Sequence, residues 1–360
     1  MASLPEHGAN PALLYRRLGM EAPAELIDFS ENVNPLGIPR RVKESWPALI
    51  GSLAHYPHPD GEPFRSAAAA FHGVPPECVM AGNGAAELFA ILADRYRGKR
   101  ALLIHPTFSE YRSTLEAKGA HCLDLVTDPS DPAIPLREIM EAMETADVVY
   151  LCNPNNPTGV RIPEDDLLRL AGRGRETGCE LVIDEAFMDF AGEEHSFIPH
   201  LSDHPHVTVV RSMTKMYAIP GIRLGYMIAP EERIAEHRMS APHWNVNGVA
   251  ARIGGSCLLE EDFRQRTIRY CTEAREDLAA FLRQAGCRVS KSETNYISFR
   301  PPGNPGALYR AMLEKGIVLR HSENFRGMDG NWLRAGIKEK WKMDRLKEAL
   351  AGWFGGRSPL

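Results

Sequence analysis

A lysine and three groups suited to binding phosphate lie close together in one stretch of the sequence. Ser212, Thr214 and Lys215 fall within four residues, and Arg223 follows eight residues after the lysine. A lysine amine can form a Schiff base with an aldehyde, and hydroxyl and guanidinium groups are phosphate ligands. The stretch therefore favours aldehyde chemistry beside a phosphate. Taken alone, it is equally compatible with an ordinary solvated lysine in a loop.

A carboxylate ends one of the most apolar segments of the chain. Asp184 follows Leu181–Ile183, which has the composition of a buried strand. An ionised carboxylate at such a position is costly unless it meets a partner, such as a cationic ring nitrogen. Asp184 is therefore a candidate for binding such a ring. The alternative is that it caps the amino terminus of a helix.

Three further loops carry residues that fit a ligand site. Ala81–Glu87 is a small-residue turn before a helix, where backbone N–H groups can approach a phosphate. His105–Tyr111 follows a strand and places Phe108 where an aromatic ring can stack on a planar ligand. Asn153–Gly159 is a rigid turn that can hold the amide of Asn156 at fixed geometry. Each also has a purely structural interpretation: a plain turn, a core aromatic residue or a turn with self-capping asparagines.

The elements that position these loops alternate between strand and helix. The predicted strands are short, apolar and bounded by turn residues: Ala101–Ile104, Val148–Cys152, Leu181–Ile183 and Val207–Val210. The predicted helices between them are Glu87–Tyr96, Ser109–Lys118, Leu136–Met143 and Glu164–Arg173. This alternation predicts an α/β fold, with a parallel sheet covered by helices on both faces.

One connection is too short for a full crossover helix. Val207–Val210 and Leu224–Ile228 are separated by about a dozen residues, with Pro and Gly among them. Leu224–Ile228 is therefore predicted to run antiparallel, which makes the sheet mixed. The intervening loop, Arg211–Arg223, then lies at an end of the sheet, where ligands of open α/β sheets bind.

The pattern changes after about residue 255. A long amphipathic helix, Glu260–Arg283, is followed by shorter elements typical of a smaller α+β domain. These are the strand-like segments Tyr296–Phe299, Ile317–Leu319 and Trp332–Ala335 and the helix Met343–Trp353. We predict a large domain at 46–255 and a small domain formed by 1–45 and 256–360.

Composition narrows the class of protein. The 360 residues have a formal net charge of −5, which weighs against a broad nucleic-acid footprint. Seven cysteines without a CxxC pair indicate reduced thiols, so no metal site is expected. The amino terminus lacks a basic start followed by an apolar run, and no apolar stretch approaches the ~20 residues of a membrane helix. We expect a cytoplasmic protein with no nucleic-acid or membrane partner.

The chain order of these five features resembles that of a known protein family. The features are the phosphate turn, the aromatic residue, the asparagine, the aspartate and the lysine. The chain is similar over nearly its whole length to fold type I pyridoxal phosphate enzymes of the aminotransferase class I/II superfamily. The resemblance implies the cofactor pyridoxal 5'-phosphate and a mostly parallel mixed sheet with a smaller α+β domain. Some proteins of this fold are regulators with a DNA-binding module, but the first 45 residues show no helix-turn-helix pattern.

The resemblance also implies roles for individual residues. Lys215 matches the Schiff-base lysine, and Asp184 matches the carboxylate that pairs with the pyridinium nitrogen. Asn156 matches the donor to the phenolate oxygen of the ring, and Phe108 matches the stacking aromatic residue. The positions that match cofactor-phosphate ligands are Gly84, Ala85, Ser212, Thr214 and Arg223. Tyr56 matches a tyrosine that reaches the cofactor phosphate of a neighbouring subunit, which implies a homodimer.

Two families within the superfamily compete for the function. Several segments resemble L-threonine-O-3-phosphate decarboxylases of cobalamin biosynthesis: His7–Asn10, Phe29–Gly37, Asp184–Phe187, Thr214–Tyr226 and Trp244–Asn247. Phe187 stands where histidinol-phosphate aminotransferases usually have Tyr. Lys338 stands where the decarboxylases have a second arginine, and lysine lacks bidentate geometry.

The resemblance favours decarboxylation of L-threonine O-3-phosphate to (R)-1-amino-2-propanol O-2-phosphate, with L-serine phosphate as a further possible substrate. Histidinol-phosphate transamination is the alternative. The candidate ligands for the substrate's phosphate and carboxylate are His7, Asn32, Arg320, Arg334 and Lys338. His7 is also compatible with a solvated terminal residue, and Arg320 with a surface charge at the end of a strand.

Overall fold

The computed structural model describes residues 4–131 and 133–355, in which strands and helices alternate through the first two thirds of the chain. The strands are β1 (Ile27–Asp28), β2 (Val79–Gly82), β3 (Arg100–His105), β4 (His121–Val126), β5 (Val148–Cys152), β6 (Glu180–Asp184), β7 (Val207–Ser212), β8 (Gly225–Ile228), β9 (Arg288–Val289), β10 (Tyr296–Arg300), β11 (Ile317–Val318), β12 (Arg320–His321) and β13 (Leu333–Gly336). The helices are α1 (Pro11–Leu18), α2 (Arg40–Ser45), α3 (Phe64–His72), α4 (Ala85–Arg95), α5 (Glu110–Ala117), α6 (Leu136–Ala142), α7 (Glu164–Thr177), α8 (Met188–Ala191), α9 (Glu231–Arg238), α10 (Gly248–Cys257), α11 (Glu261–Gln284), α12 (Pro305–Glu314) and α13 (Lys340–Gly355).

The main sheet has seven strands in the order β2-β8-β7-β6-β5-β3-β4. The neighbours from β7 to β4 pair in parallel, whereas β8 runs antiparallel to both β7 and β2. The predicted mixed, mostly parallel sheet and the reversed strand at Leu224–Ile228 are thus confirmed. The carboxyl ends of β3, β5, β6 and β7 meet at one edge of the sheet, which gathers the loops singled out in the sequence.

Apolar side chains alternate between the two faces of this sheet. In β5, Val149 and Leu151 belong to one buried cluster, and Val148 and Tyr150 belong to the other. The first cluster is completed by residues of α3, α7 and α10, and the second by residues of α4 and α5. A strand that is apolar on both faces needs cover on both sides, which explains the uninterrupted runs of the central strands.

The carboxyl-terminal third forms a second, four-stranded antiparallel sheet in the order β12-β13-β10-β9. The amino-terminal segment reaches this part of the chain because β1 pairs in parallel with β11. The helix predicted at Glu260–Arg283 is present as α11. The division into a large domain at 46–255 and a small domain at 1–45 and 256–360 stays a prediction.

Two strands of the main sheet differ from the sequence prediction. β4 is an edge strand whose residues are mostly half-buried or exposed, so it lacks the continuous apolar run that marks the central strands. β2 is a four-residue strand that runs directly into the small-residue turn at Gly82–Gly84. Within the described residues, no helix combines the length and the apolar character that crossing a membrane requires.

Candidate active site

A cavity of about 460 Å³ opens at the carboxyl edge of the main sheet. One side is formed by residues that follow β3, β5, β6 and β7. The other side comes from residues 6–9 and 30–33 and from Arg320, Asn324, Phe325 and Arg334. The predicted residues that line it are His7, Asn32, Ala85, Phe108, Asn156, Asp184, Ser212, Thr214, Lys215, Arg223, Arg320 and Arg334. Residues more than 300 positions apart in the sequence thus share one wall.

Asp184 is a buried carboxylate on this wall, only 4% exposed. Its Oδ1 accepts a hydrogen bond from the backbone N–H of Ala186 over 2.9 Å. Burial raises the pKa of Asp184 to about 6, although its hydrogen bonds act in the opposite direction. A desolvated carboxylate facing a cavity is stabilised by a cationic ligand atom. Asp184 does not cap the next helix, since Phe187 occupies the cap position of α8.

Tyr111 is a partner of Asp184 that the sequence interpretation did not single out. Its buried hydroxyl donates a short hydrogen bond to Oδ2 of Asp184. The ring of Tyr111 also packs edge-to-face against Phe108, with centroids 5.7 Å apart. Both residues belong to the His105–Tyr111 segment, for which the sequence interpretation considered only aromatic stacking. Tyr111 fixes the orientation of the carboxylate and supports the cavity aromatic at once.

Lys215 lies beside two arginines in the cavity. Burial, together with the positive charges of Arg223 and Arg334, lowers the pKa of Lys215 to about 8. A lower pKa leaves a larger fraction of the amine neutral and nucleophilic near neutral pH. The backbone around the lysine is anchored by Asn34, whose N–H donates to the Lys215 carbonyl over 3.1 Å. This is the environment expected of an amine that reacts with an aldehyde.

The anion-binding end of the cavity is built on the amino terminus of α4. Gly84 caps this helix with φ +81°, and a Cβ at Gly84 would lie 2.6 Å from Nη2 of Arg223. Only glycine therefore allows the guanidinium to approach the helix terminus so closely. Ser212 and Thr214 line the same cavity, with their hydroxyl oxygens 2.9 Å apart. Hydroxyls, a guanidinium and free helical N–H groups form a cradle suited to phosphate.

Asn156 and Arg334 connect this end to the opposite wall. Nη1 of Arg334 donates to Oδ1 of Asn156 over 2.5 Å, and Nη2 donates to the Ser30 carbonyl over 3.0 Å. The amide nitrogen of Asn156 is left to donate to a ligand oxygen. The turn is held by the smaller sheet, because Tyr296 donates to the Asn155 carbonyl over 2.7 Å. Self-capping of this turn is found at Asn155, whose Oδ1 accepts from the Thr158 hydroxyl.

Arg320 is buried, and the interpretation as a surface charge is wrong. It is 3% exposed and donates to Oδ1 of Asn324 over 2.6 Å and to the Glu6 carbonyl. Burial lowers the pKa of Arg320 to about 9, and the charge of Arg334 acts in the same direction. Burial likewise lowers the pKa of Arg334 to about 10. Within the described residues, neither guanidinium forms an ion pair with a carboxylate, so an anion in the cavity would offset both shifts.

His7 and Asn32 lie on the cavity wall close to these arginines. The Nε2 of His7 is 3.0 Å from Oε1 of Glu110, and its ring centroid is 6.2 Å from that of Phe108. Asn32 is buried, and its Oδ1 has no hydrogen-bond partner within the described residues. A buried amide oxygen without a partner is the kind of group that a bound ligand satisfies.

Three predicted residues do not line the cavity of this chain. Gly84 contributes through its backbone, as described above. The Nζ of Lys338 is 2.8 Å from Oε1 of Glu31, a lining carboxylate that the sequence interpretation missed. Tyr56 is 84% exposed and packs against Trp244 with ring centroids 5.2 Å apart. Its assignment to a neighbouring subunit's site stays a prediction.

The wall residues fit pyridoxal 5'-phosphate. The carboxylate of Asp184 suits a protonated ring nitrogen, and the amide nitrogen of Asn156 suits a phenolate oxygen. Lys215 supplies the amine for the aldehyde, and the cradle around α4 suits the phosphate. The raised pKa of the buried Asp184 and the space that Gly84 leaves for Arg223 are features that this group would explain.

Comparisons with known proteins agree with this fit. The family model for aminotransferase class I and II matches residues 24–350. Threonine-phosphate decarboxylase of Salmonella typhimurium is 35% identical, with 98% of each chain covered. Histidinol-phosphate aminotransferase of Nitratidesulfovibrio vulgaris is 33% identical over 84% of this chain and 82% of that one. The structure of histidinol-phosphate aminotransferase from Clostridium acetobutylicum superposes with a TM-score of 0.87 at 27% identity, covering 92% of this chain and all of that one. The chain therefore belongs to the aminotransferase class I and II family, and it is an enzyme that uses pyridoxal 5'-phosphate.

Proposed function

We propose that this enzyme decarboxylates L-threonine O-3-phosphate to (R)-1-amino-2-propanol O-2-phosphate, a step of cobalamin biosynthesis. A second cationic wall in the cavity supports this substrate most directly. Arg320 and Arg334 belong to β12 and β13, whereas Arg223 lies next to α4 at the other end. The cavity thus has cations beyond those that one cofactor phosphate needs, as a substrate with a phosphate and a carboxylate requires. The 35% identity to the Salmonella decarboxylase supports the same reaction.

We assign Arg334 to the substrate's carboxylate, and Arg320, His7 and Asn32 to its phosphate. Bound pyridoxal phosphate acts as an electron sink for the substrate bond that stands perpendicular to the ring. A decarboxylase must therefore turn the Cα–carboxylate bond out of the ring plane. The sites for the substrate's carboxylate and phosphate lie at fixed positions and therefore set the rotation about this bond. The phosphate can contribute because it binds far from the bond that breaks.

Lys215 is the group that we assign to proton transfer. Loss of CO₂ leaves the substrate's α-carbon short of one proton, so each turnover consumes one proton and releases one CO₂. The pKa of Lys215, about 8, keeps much of its amine protonated at neutral pH. Lys215 lines the cavity together with Arg223 and Asp184, so its amine belongs to the site that we assign to the substrate.

Phosphorylated serine remains a close competitor of phosphorylated threonine. The two substrates differ by one methyl group, and the discrimination of one methyl by an apolar contact is worth only about 1–3 kcal/mol. Comparing kcat/KM for the two phosphorylated amino acids measures this preference.

Histidinol-phosphate transamination is the second candidate, supported by the 33% identical relative from Nitratidesulfovibrio vulgaris. The two reactions separate cleanly in one experiment. The holoenzyme is incubated with each phosphorylated substrate, with and without 2-oxoglutarate, while CO₂ and glutamate are measured. We expect CO₂ from threonine phosphate without any keto acid. Glutamate formation that requires 2-oxoglutarate, with no CO₂, would establish the aminotransferase instead.

We further propose a homodimer in which Tyr56 completes the neighbouring subunit's cofactor site. The segment before Tyr56 exposes large apolar side chains: Ile50 is 74% exposed and Leu53 is 73% exposed. Such side chains so close together mark an interaction surface. Analytical ultracentrifugation of I50E/L53E should give a monomer with weakened cofactor binding. An unchanged dimer would refute this interface.

We infer that the enzyme works in the cytoplasm. All seven cysteines lie within the described residues, and each is a free thiol. Five of the thiols are buried, as in proteins of reducing compartments. Fractionation of producing cells followed by activity assays tests this location.

A further inference from the structure

A buried ion cluster lies on the reverse side of the strands that carry the cofactor residues. Arg211, in β7, is 1% exposed and faces three carboxylates, Glu185, Asp189 and Glu193. None of the four side chains lines the cavity. A buried guanidinium with several carboxylates must therefore serve the structure around it.

The contacts of Arg211 are directional. Nη1 is 3.0 Å from Oε2 of Glu193 and 3.3 Å from Oε2 of Glu185, while Nη2 is 2.6 Å from Oε1 of Glu193. Nη2 is also 3.3 Å from Oδ1 of Asp189. Glu185 is held in turn by the Ser196 hydroxyl over 2.6 Å. The planar guanidinium therefore fixes three carboxylates at defined angles, which an ammonium group cannot do.

Two members of the cluster are chain neighbours of cofactor residues. Glu185 follows Asp184, and Arg211 precedes Ser212. Successive side chains of a strand point to opposite faces, so Asp184 and Ser212 face the cavity while Glu185 and Arg211 face away. The backbone N–H of Glu185 also donates to the Val210 carbonyl over 2.8 Å. Joining Glu185 to Arg211 therefore locks the ends of β6 and β7 together directly beneath the site.

We propose that Arg211 is a positioning residue that holds the Asp184 carboxylate and the Ser212 hydroxyl at the spacing required by the ring nitrogen and the phosphate of the cofactor. This role rests on the cofactor assignments of Asp184 and Ser212 made above. Glu185 transmits the constraint to β6, and Glu193 fixes the orientation of the guanidinium. Arg211 acts only through these neighbours and does not itself touch the cofactor.

Simple stabilisation explains the cluster poorly. Removing four charged groups from water is costly, and replacement of a buried ion network by apolar residues is often neutral or stabilising. A charged cluster specifies geometry, whereas apolar packing tolerates small shifts. If Arg211 positions the cofactor residues, a substitution in the cluster should therefore weaken cofactor binding more than a control substitution that destabilises the fold to a similar extent.

The test compares two cluster variants with a control at the other end of β6. R211K keeps one positive charge but removes the planar fork, and E193Q keeps the fork but removes its bidentate partner. The control is E180Q, because Glu180 begins β6 and its Oε2 lies 2.5 Å from Nη1 of Arg233 in an ion pair far from the cavity. For each apoenzyme, the dissociation constant of pyridoxal phosphate and the midpoint of thermal unfolding are measured.

We expect R211K and E193Q to weaken cofactor binding by about tenfold or more, as substitutions behind ligating residues commonly do. E180Q should lower the unfolding midpoint comparably but leave the dissociation constant unchanged. If R211K does not fold, E193Q alone carries the comparison. Cofactor binding that stays at the wild-type level in a folded R211K or E193Q overturns the proposal.

A D184A variant separates this inference from the cofactor site on which it rests. Loss of binding in D184A, with wild-type binding in R211K and E193Q, would reject only the positioning role. Wild-type binding in D184A would reject the assignment of Asp184 itself.

Discussion

Nη1 of Arg334 lies 2.5 Å from Oδ1 of Asn156, which joins a residue assigned to the substrate to one assigned to the cofactor across 178 positions of the chain. The same guanidinium donates to the Ser30 carbonyl over 3.0 Å, so its orientation is set from two sides. Binding of the substrate's carboxylate at Arg334 therefore affects the position of the Asn156 amide, which we assign to the cofactor ring. Substrate recognition and cofactor geometry share one hydrogen bond.

Replacing Arg334 with lysine should impair both substrate recognition and cofactor geometry. R334K retains the charge but cannot bond Asn156, Ser30 and a carboxylate together. Hydrogen bonds to charged groups contribute about 1.5–3 kcal/mol, so we expect kcat/KM to fall by roughly 10- to 150-fold. Steady-state assays measure this change. R310K, at an exposed arginine of α12, should behave as the wild type; an equally active R334K would contradict the assignment.

Removing the Tyr111 hydroxyl should weaken cofactor binding. In Y111F, Oδ2 of Asp184 loses its donor, and the pKa of the carboxyl rises further because that hydrogen bond favours the ionised form. A more protonated Asp184 holds a cationic ring nitrogen less well, and titration with pyridoxal phosphate measures the effect. Y150F is a matched control, since the buried Tyr150 hydroxyl has no hydrogen-bond partner within the described residues. Equal affinities for Y111F and Y150F would show that the hydroxyl is dispensable.

The pH dependence of apoenzyme stability should report the buried Asp184. Its pKa is raised from an ordinary value near 3.8 to about 6, so the unfolded chain loses this proton first as the pH rises. The folded state then binds more protons, and the contribution of Asp184 to stability falls between about pH 4 and pH 6. Urea unfolding of the wild type and of D184N should show a free-energy difference that changes in this window. A constant difference from pH 4 to pH 7 would mean that Asp184 ionises normally.

The central strands could be predicted from sequence because burial on both faces leaves an unbroken apolar run. The prediction for Val148–Cys152 coincides with β5, and the reversed strand followed from the length of one connection. β4 could not be found in this way, because an edge strand alternates between half-buried and exposed positions. Local sequence patterns indicate which side chains are buried, and an edge strand buries few of its side chains.

The site was predictable where a residue's own segment carries the signal. Lys215 and Asn156 lie in loops, and Asp184 ends β6, each in a segment whose residue types suit the chemistry. The cavity brings the three together. Pairings over long distances carry no such signal: Tyr111 meets Asp184 across 73 positions, and Lys338 meets Glu31 across 307. The pairing of Lys338 with Glu31 was not foreseen from the sequence, and its contact with the substrate stays a prediction.

The most direct test of the central claim is made at Lys215. K215A holoenzyme is examined for the visible absorption of covalently bound pyridoxal phosphate and for CO₂ release from L-threonine O-3-phosphate. The matched control is K291A, at an exposed lysine away from the cavity. We predict that K215A loses the covalent absorption and nearly all CO₂ release, while K291A retains both. Wild-type absorption and turnover in K215A would contradict the account.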